Sequence, residues 1–377
     1  MQRIVKDFRR TVEILRGDSS QGDESRGADG NGSVANSGRQ TMEALNDDDE
    51  MMKQQILRQL EVVSSEGGCG TPEEREVTPI DHIRQTENWD CGLACVQMIL
   101  QWLRHDDISR SRRDFHVISA DDDEVHPLSR IENKKKDKEK AWMIDFVQTS
   151  SIWTIDLVFL LEHILSTGRI TSENKNNIAV IPDICDKEDN EVECQHHCPV
   201  KKLGQFSFPP LSSWSYLFCS TKFVVDESYN NLGYYKDKFT SDEKRVETLF
   251  DIARNQKLPL LQTTHLSLGA LVDIVSRKDV VAIVLLDNRI LMDNGKSSYC
   301  GHYVILCGVS YDENDIQYAH MNSPEENISS RRDDFVMVMK NPGIWKQTEF
   351  VTPSIFEKAR RATGTDEDIL FLSKHNL

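Results

Sequence analysis

The chain has 377 residues, 38% of them hydrophobic and 28% charged, with a formal net charge of −17 from 45 Lys+Arg against 62 Asp+Glu. That length holds one large domain or two small ones, and the acidic balance argues against nucleic-acid binding, where basic surface supplies most of the affinity. No run of about 18 apolar residues exists, so no membrane span is expected, and nine cysteines without a regular framework suit reduced thiols in the cytoplasm or nucleus.

Residues 1–76 read as a disordered acidic N-terminal region with short helices. Ile4, Val5, Phe8, Val12 and Leu15 fall near helical spacing among Lys6, Arg9 and Arg10, which suits a membrane-surface or transit helix or a loosely docked terminal one. The N-terminus lacks the apolar core of a signal peptide. From Asp18 to Glu50 hardly an apolar residue occurs, which predicts disorder. A short helix is expected over Met51–Val63 and a linker over Gly67–Pro72. The folded domain is placed at 77–377.

From Gln85 to Leu103 a polar, turn-prone stretch gives way at Cys91 to a run of helix formers. Asp90 is positioned to cap that helix, and Cys91 falls at its positive end, where a thiolate is favoured over a thiol. Cysteines are among the most buried residue types, so the plain alternative for Cys91 and Cys95 is core packing. Gln85 upstream and the elements downstream single out Cys91 as the nucleophile candidate, while Cys95, one turn on, packs. Residues 104–140 are almost entirely charged and read as a solvated surface insertion, with Asp121–Glu124 and Lys134–Lys136 as its poles. Thr154 or Ser151 can cap a helix that buries Leu157, Leu160, Leu161 and Ile164.

Residues 168–215 break the pattern and read as a second insertion. Cys185, Cys194, His196, His197 and Cys198 lie within it, at a spacing that fits no usual zinc pattern. Amphipathic helices are predicted over Asp242–Gln256 and Ser267–Arg277, and Val280–Leu286 is a continuous apolar run expected as a central strand. Asn294-Gly295-Lys296-Ser297 resembles the tail of a phosphate-binding loop, but the first glycine such a loop needs falls at Ile290, which leaves a turn. Gly301–Val309 is a second strand that opens with His302. Residues 310–334 form a third, acidic insertion. Phe335–Asn341 is a third strand, Pro353–Ala362 a short helix, and Ile369–Leu372 a last strand after the acidic turn Gly364–Asp368.

In the order Gln, Cys, His, Asn these elements compose one centre. His302 serves as general base because an imidazole titrates near neutrality. Asn341, at a strand end, orients the imidazole better than Asn322 in a loop-like stretch. Gln85 and the Cys91 amide form the oxyanion hole. The expected fold is α+β and papain-like, with the Cys91 helix packed on an antiparallel sheet.

The wording Asp90-Cys91-Gly92-Leu93-Ala94-Cys95 also resembles the peptidase domains that trim bacteriocin leaders on ABC exporters. Four blocks resemble the guanylyl cyclase domain-containing family: Asn88–Cys95, Ser151–Leu157, Gly301–Gly308 and Gly364–Leu370. The family name implies conversion of GTP to cyclic GMP and pyrophosphate with Mg²⁺ or Mn²⁺, for which Asp366, Glu367 and Asp368 are the candidate ligands. A solvated turn explains those three carboxylates equally well. The residues themselves favour thiol hydrolysis of a peptide, isopeptide or amide bond, which needs no cofactor. A third class is a catalytically inactive module that binds a protein or peptide partner. Oligomeric state is not legible.

Overall fold

The computed structural model of the chain describes residues 40–60, 77–112, 127–167, 169–170, 206–207, 214–226, 229, 239–277, 279–292, 299–322 and 334–374. The expected 1–17 helix, the Gly67–Pro72 linker, Asp121–Glu124, the Cys185–Cys198 cluster and the Asn294–Ser297 turn lie outside those residues. Residues 44–170 and 205–377 form one compact unit; of the second unit, residues 1–43 and 171–204, only the first turn of one helix is described.

Helix α1, Gln40–Gln59, starts well before the predicted Met51. Residues 40–50, the end of the stretch expected to be disordered, are therefore helical. Their anchor lies further on, where Ile56, Leu57 and Leu60 enter the core, each such side chain stabilising by about 1.5–3 kcal/mol. Asp49 also accepts a bond from the Ser267 amide at 3.2 Å. Helix α2, Cys91–Arg112, buries every residue of its first three turns, the pattern of a helix enclosed in a core. Helix α3, Pro127–Val147, corrects the last part of the reading of 104–140 as a solvated insertion. Its last turns bury Glu139, Trp142, Met143 and Val147, and Arg104 pairs with Glu139 at 2.9 Å. Helix α4 spans Thr154–Thr167, its entry fixed by the Trp153 amide donating to Asp156 at 2.8 Å.

Strands β1, Arg169–Ile170, and β2, Phe206–Ser207, pair antiparallel at the base of the 168–215 segment. Strand β3, Trp214–Ser220, claims the last two residues assigned to that insertion: Trp214 is buried, and the Ser215 hydroxyl donates to the Leu60 carbonyl at 2.8 Å. Then follow helix α5, Phe239–Asn255, strand β4, Leu260–Gln262, and helix α6, Leu268–Val275, which Ser267 caps through the Ala270 amide. Strand β5, Val280–Asp287, leads into the single turn α7, Asn288–Leu291, and strand β6, Gly301–Ser310. Helix α8, Glu313–Met321, gives regular structure to the front of the acidic 310–334 insertion. Strand β7, Val336–Lys340, strand β8, Glu349–Val351, helix α9, Pro353–Arg360, and strand β9, Ile369–Lys374, complete the chain.

Seven strands form one sheet in the order β4-β3-β9-β5-β6-β7-β8. It is mixed rather than antiparallel as expected, because β3 and β4 run parallel while every other pair is antiparallel. Helices α1, α6 and α9 cover one face with a core that includes Val284, Leu286, Val304, Leu306 and Met339. Helix α2 packs on β6 from the other face and against α3 and α4. The fully buried β5 between those layers explains its unbroken apolar run.

Between Leu306 and Gly308 the β6–β7 register shifts by one residue. Gly308 has φ 144°, a conformation that side chains with a Cβ rarely adopt. Beyond the bulge Leu306 pairs with Met339 and Ile305 with Lys340. A ladder continued in the register of Val309 and Met337 would set Asn341 opposite Ile305, on the face away from His302. Since strand side chains alternate with period two, the one-residue bulge turns Asn341 to the face that carries His302.

Candidate active site

The α2 N-terminus is held from behind. Asp90 does not cap the helix as expected: its Oδ2 accepts from the Thr86 hydroxyl at 3.1 Å and the Glu87 amide at 3.2 Å, and pairs with Lys140 of α3. A fully buried carboxylate needs such a partner. Lys140 therefore fixes the turn that presents Cys91, a role hidden in a stretch that reads as loose charge. The thiol itself is buried, and burial pushes it up to about 11. The backbone N–H groups of Tyr303, Gly92 and Cys91 oppose the rise, and Asp90 adds to it. The low-pKa cysteine expected from the helix end is thus corrected: desolvation outweighs the dipole, and the resting form is a thiol. Cys95 is fully buried and its thiol is also pushed up.

His302 and Asn341 are both buried, at 6% and 1% exposure. His302 Nε2 and Asn341 Oδ1 are 2.7 Å apart. The Asn341 amide in turn donates from Nδ2 to Glu349 Oε2 at 2.7 Å, and the Gly343 amide donates to Asn341 Oδ1 at 2.9 Å. With both Asn341 side-chain atoms engaged, the imidazole has a fixed acceptor. Burial lowers the His302 pKa, opposed by the bond to Asn341 and the charge of Glu349. The main chain here is braced by His82 Nε2 at 2.8 Å from the Asn341 carbonyl and by the Gln85 amide donating to the Pro342 carbonyl at 2.9 Å. Asn322, the alternative considered, caps α8 and donates to the Tyr318 carbonyl at 2.7 Å.

Cys91 and His302 come to the same strand start without touching. Among the described residues no hydrogen bond or ion pair joins them; the Cys91 sulfur lies at the backbone of Tyr303, while His302 shares a face with Val304 and Leu306. Gln85 approaches through its backbone only. Its side-chain Nε2 donates to the Glu87 carbonyl at 2.9 Å, and its Oε1 is buried without a partner.

The acidic turn splits. Asp366 and Asp368 line a small cleft with Trp89, Cys91, Tyr303 and Gly364, about 20 Å³ in volume, room for a water or two. Burial raises both carboxyls, and Asp366 raises Asp368 further. Asp368 accepts the Thr154 hydroxyl, which also meets the Tyr303 hydroxyl at 3.0 Å, and Asp366 accepts from Tyr229. Glu367 turns away to Arg360 at 3.0 Å and His265 at 2.8 Å. The three candidate metal ligands thus serve separate contacts. Among the described residues no group of three His, Cys, Asp or Glu is placed to hold a metal ion.

Glu349 was not legible from sequence. Only the turn after Asn341, which folds β8 back beside β7, sets it against the amide; Pro342-Gly343, seven and six residues before it, is the one signal of that return.

The family profile described as guanylylate cyclase matches residues 80–121 and 212–372, over half of the chain. It includes Cys91, His302, Asn341 and Asp366–Asp368, and omits the Ser151–Leu157 block. A relative, "Guanylyl cyclase 1" of Arabidopsis thaliana, is 23% identical over 310 residues, which cover 79% of this chain and 77% of that protein. No solved structure matches. From the match across both the α2 start and the strand ends that carry the site, the chain belongs to the guanylyl cyclase domain-containing family.

Proposed function

We propose that the chain is a papain-like thiol hydrolase that cleaves a peptide, isopeptide or amide bond, with Cys91 as nucleophile, His302 as base and Asn341 as its orienter. The observation that carries this reading is the 2.7 Å contact between His302 Nε2 and Asn341 Oδ1, at the strand start where α2 presents Cys91. Both groups rest neutral, since burial raises the thiol and lowers the imidazole. A neutral imidazole is the form that accepts a proton. Because the imidazole rests on the face of β6 opposite α2, this reading requires it to turn at the strand start to reach the Cys91 sulfur, a state that the free chain samples and bound substrate favours. The Cys91 proton then passes to His302 as sulfur attacks the carbonyl carbon. The developing oxyanion takes the Cys91 amide and, once its Nε2 leaves the Glu87 carbonyl, the Gln85 side chain. His302 returns the proton to the leaving amine, and water, deprotonated by His302, releases the thioester as a carboxylate.

The second reading, GTP conversion to cyclic GMP, is favoured by the name of the Arabidopsis relative. It would call for Mg²⁺ or Mn²⁺, and the residues present do not fit that ion. Asp368 is buried and engaged by Thr154, and Glu367 is engaged by Arg360. Nor does a 20 Å³ cleft take a nucleotide. The test is to incubate the pure chain with GTP and Mn²⁺, wild type beside Cys91→Ala. The thiol reading expects no cyclic GMP from either. Equal cyclic GMP from both would replace it with the cyclase reading.

A further inference from the structure

Glu349 also lines a groove of about 370 Å³, together with Tyr318, Ile344, Trp345, Lys346, Phe350 and Ile355. Its aromatic wall already attracts cations of the chain itself. The Arg84 guanidinium lies 3.5 Å from the Trp345 ring centroid, and Lys346 Nζ lies 4.7 Å from that of Tyr318, whose hydroxyl it also meets. Trp345 is nevertheless 80% exposed, an unusual position for a large aromatic side chain. Glu349 is half-buried in the groove wall, within reach of the charge of Lys346; Oε2 is taken by Asn341, and Oε1 has no hydrogen bond or ion pair among the described residues. Aromatic faces around a desolvated carboxylate select an ammonium group over a neutral one.

We propose that this groove binds the lysine side chain of a peptide, with the ammonium on Glu349 and the stem along Phe350 and Trp345. Because Glu349 also holds Asn341, the bound charge is felt at His302. As a substrate subsite the groove rests on the thiol reading; as a binding site it does not. The charge on Glu349 holds the His302 pKa up, so a bound ammonium, which offsets that charge, lowers it.

The test uses the full chain with Nα-acetyl-lysine N-methylamide and the neutral analogue that lacks its ammonium, Nα-acetyl-norleucine N-methylamide. Binding is read from tryptophan emission and from the His302 ring signal in NMR. The lysine compound is expected to change the emission saturably, with the change absent in Trp345→Phe. The norleucine compound should bind at least about tenfold more weakly, and Glu349→Gln should bring the lysine compound down to that level, the effect of removing one charge-assisted bond. Lysine binding should lower the His302 pKa in wild type and leave it unmoved in Glu349→Gln. Equal binding of the two compounds, or lysine binding indifferent to Glu349→Gln, overturns the proposal. The same titration in Cys91→Ala keeps the groove and removes the thiol chemistry, so the two ideas fail separately.

Discussion

At Asp368 burial and charge oppose one another, and the protein keeps the carboxyl neutral rather than giving it a cation. Its folded pKa is raised, so the folded chain holds a proton that the unfolded chain releases. Stability from this group is therefore greatest below the ordinary carboxylate range and falls as pH rises toward the folded pKa. Asp368→Asn removes that titration and retains an acceptor for Thr154. Its melting temperature should fall less than that of wild type between mildly acid and mildly alkaline buffer; parallel curves would contradict this. Arg360 shows the opposite solution. It is fully buried, bonded to Glu357 at 2.7 Å, Glu367 at 3.0 Å and the Leu266 carbonyl at 2.8 Å. Arg360→Ala leaves both carboxylates without their cation. Loss of a buried partner costs about 3–5 kcal/mol, and here the lower end is expected because both carboxylates keep some contact with water. Urea unfolding measures it.

At the scale of elements, the strands were legible wherever apolar runs were long. Val280–Leu286, Gly301–Val309 and Phe335–Asn341 each became a strand within a residue or two of the expected bounds. Local pattern failed where tertiary contact decides. The acidic turn of α1 carries no apolar signal of its own and is held by the docking of Ile56, Leu57 and Leu60. The charged α3 hides its buried Glu139 and the Lys140 contact to Asp90. The thiol expected at low pKa is raised because helix-end position is visible in sequence and burial is not. Likewise His302 and Asn341 could be named, but the bulge that turns them to one face depends on Gly308, which reads only as one more strand residue. Gly308→Ala is expected to cost about 1–3 kcal/mol, the range for a Cβ in such a backbone conformation. It should also broaden or shift the His302 ring signal in NMR. A stable variant with that signal unchanged would mean that the bulge does not set the pair.

For the molecule as a whole, a mixed sheet sandwiched by helices brings a cysteine from one layer and a histidine–asparagine pair from the other to one sheet end. The family name points to nucleotide chemistry, whereas the side chains at that end hold no metal-ready set among the described residues. The most direct test is the pH dependence of Cys91 alkylation by iodoacetamide, followed by peptide mass spectrometry in wild type and His302→Ala. A buried thiol pushed up to about 11 should react slowly near neutrality and faster as pH rises, with Cys95 inert throughout. If His302 accepts the Cys91 proton, His302→Ala should slow alkylation near neutral pH and move the profile upward, with the fold intact. A Cys91 profile unchanged by His302→Ala would contradict the thiol centre.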